Sequence, residues 1–146
     1  MRPYTITIGV PPERFQQIKT LADRRGRNMA DTIGDLVNLA IDRNELEPEL
    51  PGWNIESYQD GVLFENAEMD LTRQWSKPVA LSLAETLEAM TQPGERLKGC
   101  LNMDARLQLD RWGTNVRLTD TETKAQRHLP RSIAADIARL IRRAIA

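Results

Sequence analysis

Cysteine and histidine each occur once in this chain, as Cys100 and His128. A single thiol cannot close an intramolecular disulfide, and one thiol beside one imidazole does not make a ligand set for zinc or nickel. No metal and no cofactor is therefore expected, and the lone thiol suits a reducing, cytoplasmic compartment. No apolar run approaches the roughly 18 residues that a membrane-spanning helix needs, and the opening stretch MRPYTITIGV has no apolar core of a signal peptide, so no membrane partner is expected. Neither sign of charge dominates: 20 Lys and Arg stand against 21 Asp and Glu, a net charge of −1. An overall basic field is excluded, and any nucleic-acid contact has to come from a local patch. Glycine-rich phosphate loops, a Gly-x-Ser-x-Gly elbow and a Cys with several candidate His partners are all missing, so the chain is not expected to be an enzyme. What remains, at 146 residues with 40% apolar and 28% charged side chains, has the composition of one globular domain or two small ones.

The N-terminal stretch is the most orderly. Residues 4–10 alternate with a period of two, placing Ile6, Ile8 and Val10 on one face and Thr5, Thr7 and Gly9 on the other, the pattern of a strand with one face to bury. Pro11-Pro12 ends it, and Pro12-Glu13 suits the first turn of a helix running to about Arg25, with Phe15, Ile18, Leu21 and Ala22 on one stripe. Gly26 stands where a left-handed C-terminal residue is expected, and Asn28 can cap a second helix reaching about Arg43, with Asp31 in its first turn. Met29, Ile33, Leu36, Val37, Ala40 and Ile41 form the apolar stripe of that helix. One strand and two one-sided helices cannot bury a core of their own, so this unit calls for a second copy.

Val10-Pro11, the Phe15/Ile18/Leu21-Ala22 spacing and Gly26-Arg27-Asn28-Met29 followed by Ile33 resemble the ribbon-helix-helix family of the Arc and MetJ repressors. The resemblance covers residues 4–43. It implies an intertwined homodimer in which two strands pair as an antiparallel ribbon that enters the major groove of double-stranded DNA. On that reading Thr5, Thr7 and Gly9 face base edges, while Ile6, Ile8, Val10, Ile33 and Val37 form the dimer core. Arg2, Lys19, Arg27 and the N-terminal turn around Asn28 and Met29 meet phosphates. The chain departs from the family at the ribbon's outer face, where the usual long polar side chains are replaced by Thr, Thr and Gly. Threonine offers one hydrogen bond or a contact with a thymine methyl, so affinity would rest mainly on phosphate contacts.

Asn44 to Gly52, acidic and twice interrupted by proline, reads as a linker. Residues 1–46 carry seven basic and six acidic side chains, and 47–146 carry 13 and 15, so the split leaves a slightly positive unit and an acidic one. The second unit reads as a mixed domain of antiparallel strands and helices. Trp53–Ser57 alternates, Asp60-Gly61 marks a hairpin turn into Val62–Glu65, and Met69–Arg73 and Pro78–Leu81 suggest further strands. Ser82-Leu83-Ala84-Glu85 forms a capping box for a helix through Met90. Leu107–Trp112 and Val116–Thr119 then form a second hairpin, and Pro130–Ala146 a final amphipathic helix. Trp53, Ile55, Tyr58 and Val62 correspond to Leu107, Leu109, Trp112 and Val116 at one offset, which hints at two hairpin-plus-helix units, although the helices as read do not keep that offset. The three tryptophans are expected as core anchors, and Cys100 and His128 as structural or surface residues.

The fold class expected is thus α+β, a ribbon-helix-helix unit followed by an α+β domain of unassigned role. The function expected is a dimeric, sequence-specific DNA-binding protein, a transcriptional repressor or a plasmid or phage control factor. The alternative is a protein-binding module, an antitoxin or phage-encoded inhibitor, that uses its N-terminal unit only to dimerise and its acidic domain to engage a protein partner.

Overall fold

The computed structural model describes residues 5–92, 99–102 and 104–146. The chain divides into two compact units, Met1–Glu47 and Pro48–Ala146. The first holds helices α1 (Pro12–Arg25) and α2 (Met29–Asp42). Helix α1 begins with proline in its first turn and ends at Gly26, whose φ of 63° lies in the left-handed region that glycine enters without a Cβ penalty. That turn lets the Arg27 N–H reach the Ala22 carbonyl at 3.0 Å. Helix α2 opens on Asn28, whose Oδ1 accepts the Asp31 N–H at 2.7 Å.

The expected strand at 4–10 is not formed: residues 5–10 carry no strand, and Tyr4 lies outside the described residues. The physical reason is pairing. A strand is held by inter-strand hydrogen bonds, and the described residues of this unit contain no second strand to supply them.

The second unit is α+β. A three-stranded antiparallel sheet is built from β1 (Trp53–Tyr58), β2 (Gly61–Asn66) and β3 (Leu71–Ser76), followed by α3 (Lys77–Thr91). A four-stranded antiparallel sheet follows, with β4 (Gly99–Asn102), β5 (Leu107–Trp112), β6 (Asn115–Asp120) and β7 (Gln126–Pro130), and the chain closes on α4 (Arg131–Ile145). The two helices pack against each other, and α4 also lies on β1. One core joins the two sheets and both helices. Trp53, Phe64 and Trp75 stack within it, with ring centroids 5.6 and 4.7 Å apart, and Leu83, Leu87, Leu107, Leu109, Ile137 and Ile141 fill the rest.

Two expectations change here. Residues 78–81 are helix, not strand, because Ser76 caps α3 and Pro78 sits in its first turn, so the helix starts ahead of the Ser82 box. Trp112 is 53% exposed and is no core anchor, since its place in β5 points it to the outer face of the sheet, whereas Trp53 and Trp75 are buried.

With α3 starting at Lys77, the repeat becomes complete. β1, β2 and α3 match β5, β6 and α4 residue for residue at an offset of 54, and β3 matches β7 to within one residue. Every left-handed residue of the second unit falls into the same register: Gly52 with Arg106, Gln59 with Gly113, and Asp70 with Lys124. The turns after β2 and β6 are also built alike. Asn66 accepts the Met69 N–H at 2.9 Å, and its counterpart Asp120 accepts the N–H groups of Glu122 and Thr123 at 2.8 and 3.4 Å. Glu88 and Arg142, which are counterparts, meet in a bidentate ion pair with both contacts at 2.7 Å. Strand β4 alone has no counterpart.

Candidate nucleic-acid interface

The first unit is defined by what it fails to cover. Its buried side chains are Ala22, Asp31 and Thr32, only one of them apolar. Nine of the eleven large apolar side chains exposed among the described residues belong to it. Ile6 is 89% and Ile8 72% exposed, and Val10, Phe15, Ile33, Leu36, Val37 and Leu39 are each around 40% exposed. The five positions expected in a dimer core, Ile6, Ile8, Val10, Ile33 and Val37, are therefore all open to solvent in the single chain. At roughly 25 cal/mol per Å2 of apolar surface, such a set represents a large unused driving force for association.

Thr5, Thr7 and Gly9, the expected base-reading positions, are exposed on the extended segment. Among the expected phosphate contacts, Arg2 lies outside the described residues. Lys19 is exposed on α1. Arg27 is committed locally: its Nε and Nη2 lie 2.8 and 3.2 Å from the Asp35 carboxylate, which also has Arg25 at 3.9 Å. Asn28 and Met29 are half-buried at the start of α2. The Asn28 side chain takes the Asp31 N–H, and the Thr32 hydroxyl donates to the Asn28 carbonyl at 2.8 Å, so the entry to α2 is rigidly set. Asp31 is buried in the same first turn and places a carboxylate against the positive end of the helix dipole. The sequence reading missed this competition: the spacing that marks Asp31 as a capping partner equally places an acid beside any bound phosphate. Arg24 is exposed in the last turn of α1, and Lys19 is exposed on the same helix.

In the second unit Glu88, Asp110, Asp120, Glu122 and Asp136 are held in ion pairs. Arg73 lies 2.8 Å from Asp120 in the buried interior, and Arg117 lies 3.3 Å from Asp110 on the outer face of the sheet. There the Arg117 guanidinium also stacks 4.6 Å from the Trp112 ring, with His128 beside it at 5.6 Å. Cys100 lies on β4, and its side chain falls outside the described set. Among the described residues no group of His, Cys, Asp and Glu is placed to hold a metal ion, and no helix is long and apolar enough to cross a membrane. Comparison with protein-family models, curated protein sequences and solved structures finds no match to this chain.

Proposed function

We propose that this chain is a homodimeric DNA-binding regulator of the ribbon-helix-helix kind, acting as a repressor. The observation that carries the reading is the uncovered apolar surface of the first unit, running from Ile6, Ile8 and Val10 through Phe15 to Ile33, Leu36 and Val37. An alternating segment without a strand partner, followed by two helices with their stripes open, has one arrangement that covers everything. The segments of two copies pair with each other, and the helices interlock beneath the ribbon. Thr5, Thr7 and Gly9 then line the outer face of the ribbon and enter the major groove. Lys19 and Arg24 supply phosphate contacts, together with the first-turn amides of α2 at Met29 and Ala30. A bound dimer obstructs polymerase sterically, and the second unit adds assembly or partner recognition.

Fluorescence anisotropy with labelled duplex DNA over a salt series tests this directly. Binding should weaken steeply as salt rises, because counterions released from the phosphates drive it. Absence of binding at low salt from a chain that light scattering shows to be dimeric would transfer the dimer to the protein-binding reading.

A further inference from the structure

The two halves of the second unit differ at one edge. In the second half β4 pairs antiparallel with β5, setting Gly99 opposite Asp110, Cys100 opposite Leu109, Leu101 opposite Gln108 and Asn102 opposite Leu107. In the first half the equivalent strand β1 is the end of its sheet, with β2 on one side and, among the described residues, no strand on the other. Along that open side runs a cleft of about 800 Å3, lined by Leu50, Trp53, Ile55, Leu140, Arg143 and Ala144 among others. Successive pairs in an antiparallel ladder alternate, and counting from the closing pair of the hairpin, Tyr58 and Gly61, the N–H and C=O of Ile55 and Ser57 turn toward this side.

The chain's own sequence explains why it leaves the edge open. The residues standing where β4 would be, 54 positions earlier, are Glu45-Leu46-Glu47-Pro48. In the register of β4 they would place Glu45 directly opposite Glu56, a like-charge pair that destabilises a ladder. They would also set Pro48, which lacks an N–H, opposite Trp53.

We propose that the open edge of β1 receives an extended strand of a partner protein, paired antiparallel as β4 is on β5. The strand carries an aliphatic side chain opposite Ile55 and a Lys or Arg opposite Glu56. The two demands fall on alternate faces. On the inner face Ile55, Leu140 and Ala144 offer apolar contact, with Arg143 on that same side. On the outer face Glu56 is exposed and Glu65 is held by the Asn54 amide at 2.9 Å, so acid there meets the base of the incoming strand. Backbone hydrogen bonds supply affinity and the alternation supplies selectivity, the logic of strand addition at a sheet edge. The cleft is walled by Leu140, Arg143 and Ala144 of α4 and by the Glu49–Gly52 arm.

The test uses the full chain and two capped ten-residue peptides, one alternating Lys with Val and the other Glu with Val. Amide exchange followed by NMR should slow at least tenfold at Ile55 and Ser57 with the Lys–Val peptide and stay unchanged with the Glu–Val peptide. Glu56→Lys, an exposed change, should reverse that preference. Ser57→Pro, at a position whose N–H faces the open side, should abolish binding with the circular dichroism retained. Equal binding of both peptides, or no protection at Ile55 in the wild-type chain, overturns the proposal. Protection of Ile55 that rises with protein concentration and resists the peptide overturns it as well, since the occupant is then a second copy. Should Ser57→Pro fail to fold, the Glu56→Lys reversal decides.

Discussion

At Gly61 the backbone of β3 stands so close that an added Cβ would collide with the Trp75 carbonyl oxygen. Gly61→Ala must push two paired strands apart and is expected to cost about 1–3 kcal/mol, read from urea unfolding. The same change class at Asn115, its counterpart, should cost far less, because that position already holds a side chain. Asp120 makes a second residue-scale case. Burial raises its pKa, but the N–H groups of Glu122 and Thr123 and the Arg73 guanidinium outweigh that and hold it below the ordinary carboxylate range. A carboxyl whose folded pKa is depressed adds stability above its unfolded value, near 3.9, and loses that stability as pH falls through the folded value. Asp120→Asn keeps the turn chemistry that Asn66 already demonstrates but removes the buried carboxylate 2.8 Å from Arg73, leaving it only Glu122 at 3.8 Å, at a cost of about 1–3 kcal/mol near neutrality. The gap between wild type and variant in urea midpoint should narrow below pH 4; a gap independent of pH would mean that charge is not what Asp120 contributes.

At the scale of elements, Glu88 on α3 and Arg142 on α4, counterparts at the offset of the repeat, face each other. The hydrogen bond from Arg142 lowers the Glu88 pKa against a smaller opposing effect of burial. Glu88→Arg places two guanidiniums side by side at this helix crossing and should lower the melting temperature, and adding Arg142→Glu should restore it. Failure of the double reversal to recover stability would show that packing, not charge, governs this crossing. Helix ends also decided how much of this unit was legible. Helices α1, α2 and α4 announce themselves through prolines, Gly26, the Asn28 cap and unbroken stripes. In α3 two start signals compete, Ser76 with Pro78 and Ser82 with Glu85, and a capping box reads just as well inside a helix as at its start. A helix begun at Ser82 breaks the offset that the strands already show, and the helices keep it only when α3 begins at Lys77. Strand β4 was invisible for another reason: four residues are too few for a period-two pattern to stand out, and pairing with β5 is what makes them a strand.

For the whole molecule, the contrast between units predicts two unfolding behaviours in one chain. Pro48–Ala146 encloses its own core, whereas the unit before it buries a single apolar side chain and leaves nine large ones open. Of the positions proposed to face DNA, sequence could name types and spacing but not commitments: Arg27 reads as a free cation until its ion pair with Asp35 is seen. If a second copy covers the open surface, the first unit is stable only as a dimer, and its stability follows protein concentration by mass action. Each tenfold rise in concentration is then worth about 1.4 kcal/mol per dimer, so its thermal midpoint should climb with concentration while that of the second unit stays fixed. Ile8→Lys sets a charge into the proposed shared core and should remove the concentration-dependent transition, leave the other intact, and yield a monomer by light scattering. A variant that stays dimeric with both transitions unchanged would place the association elsewhere on the chain and take the ribbon out of the assembly.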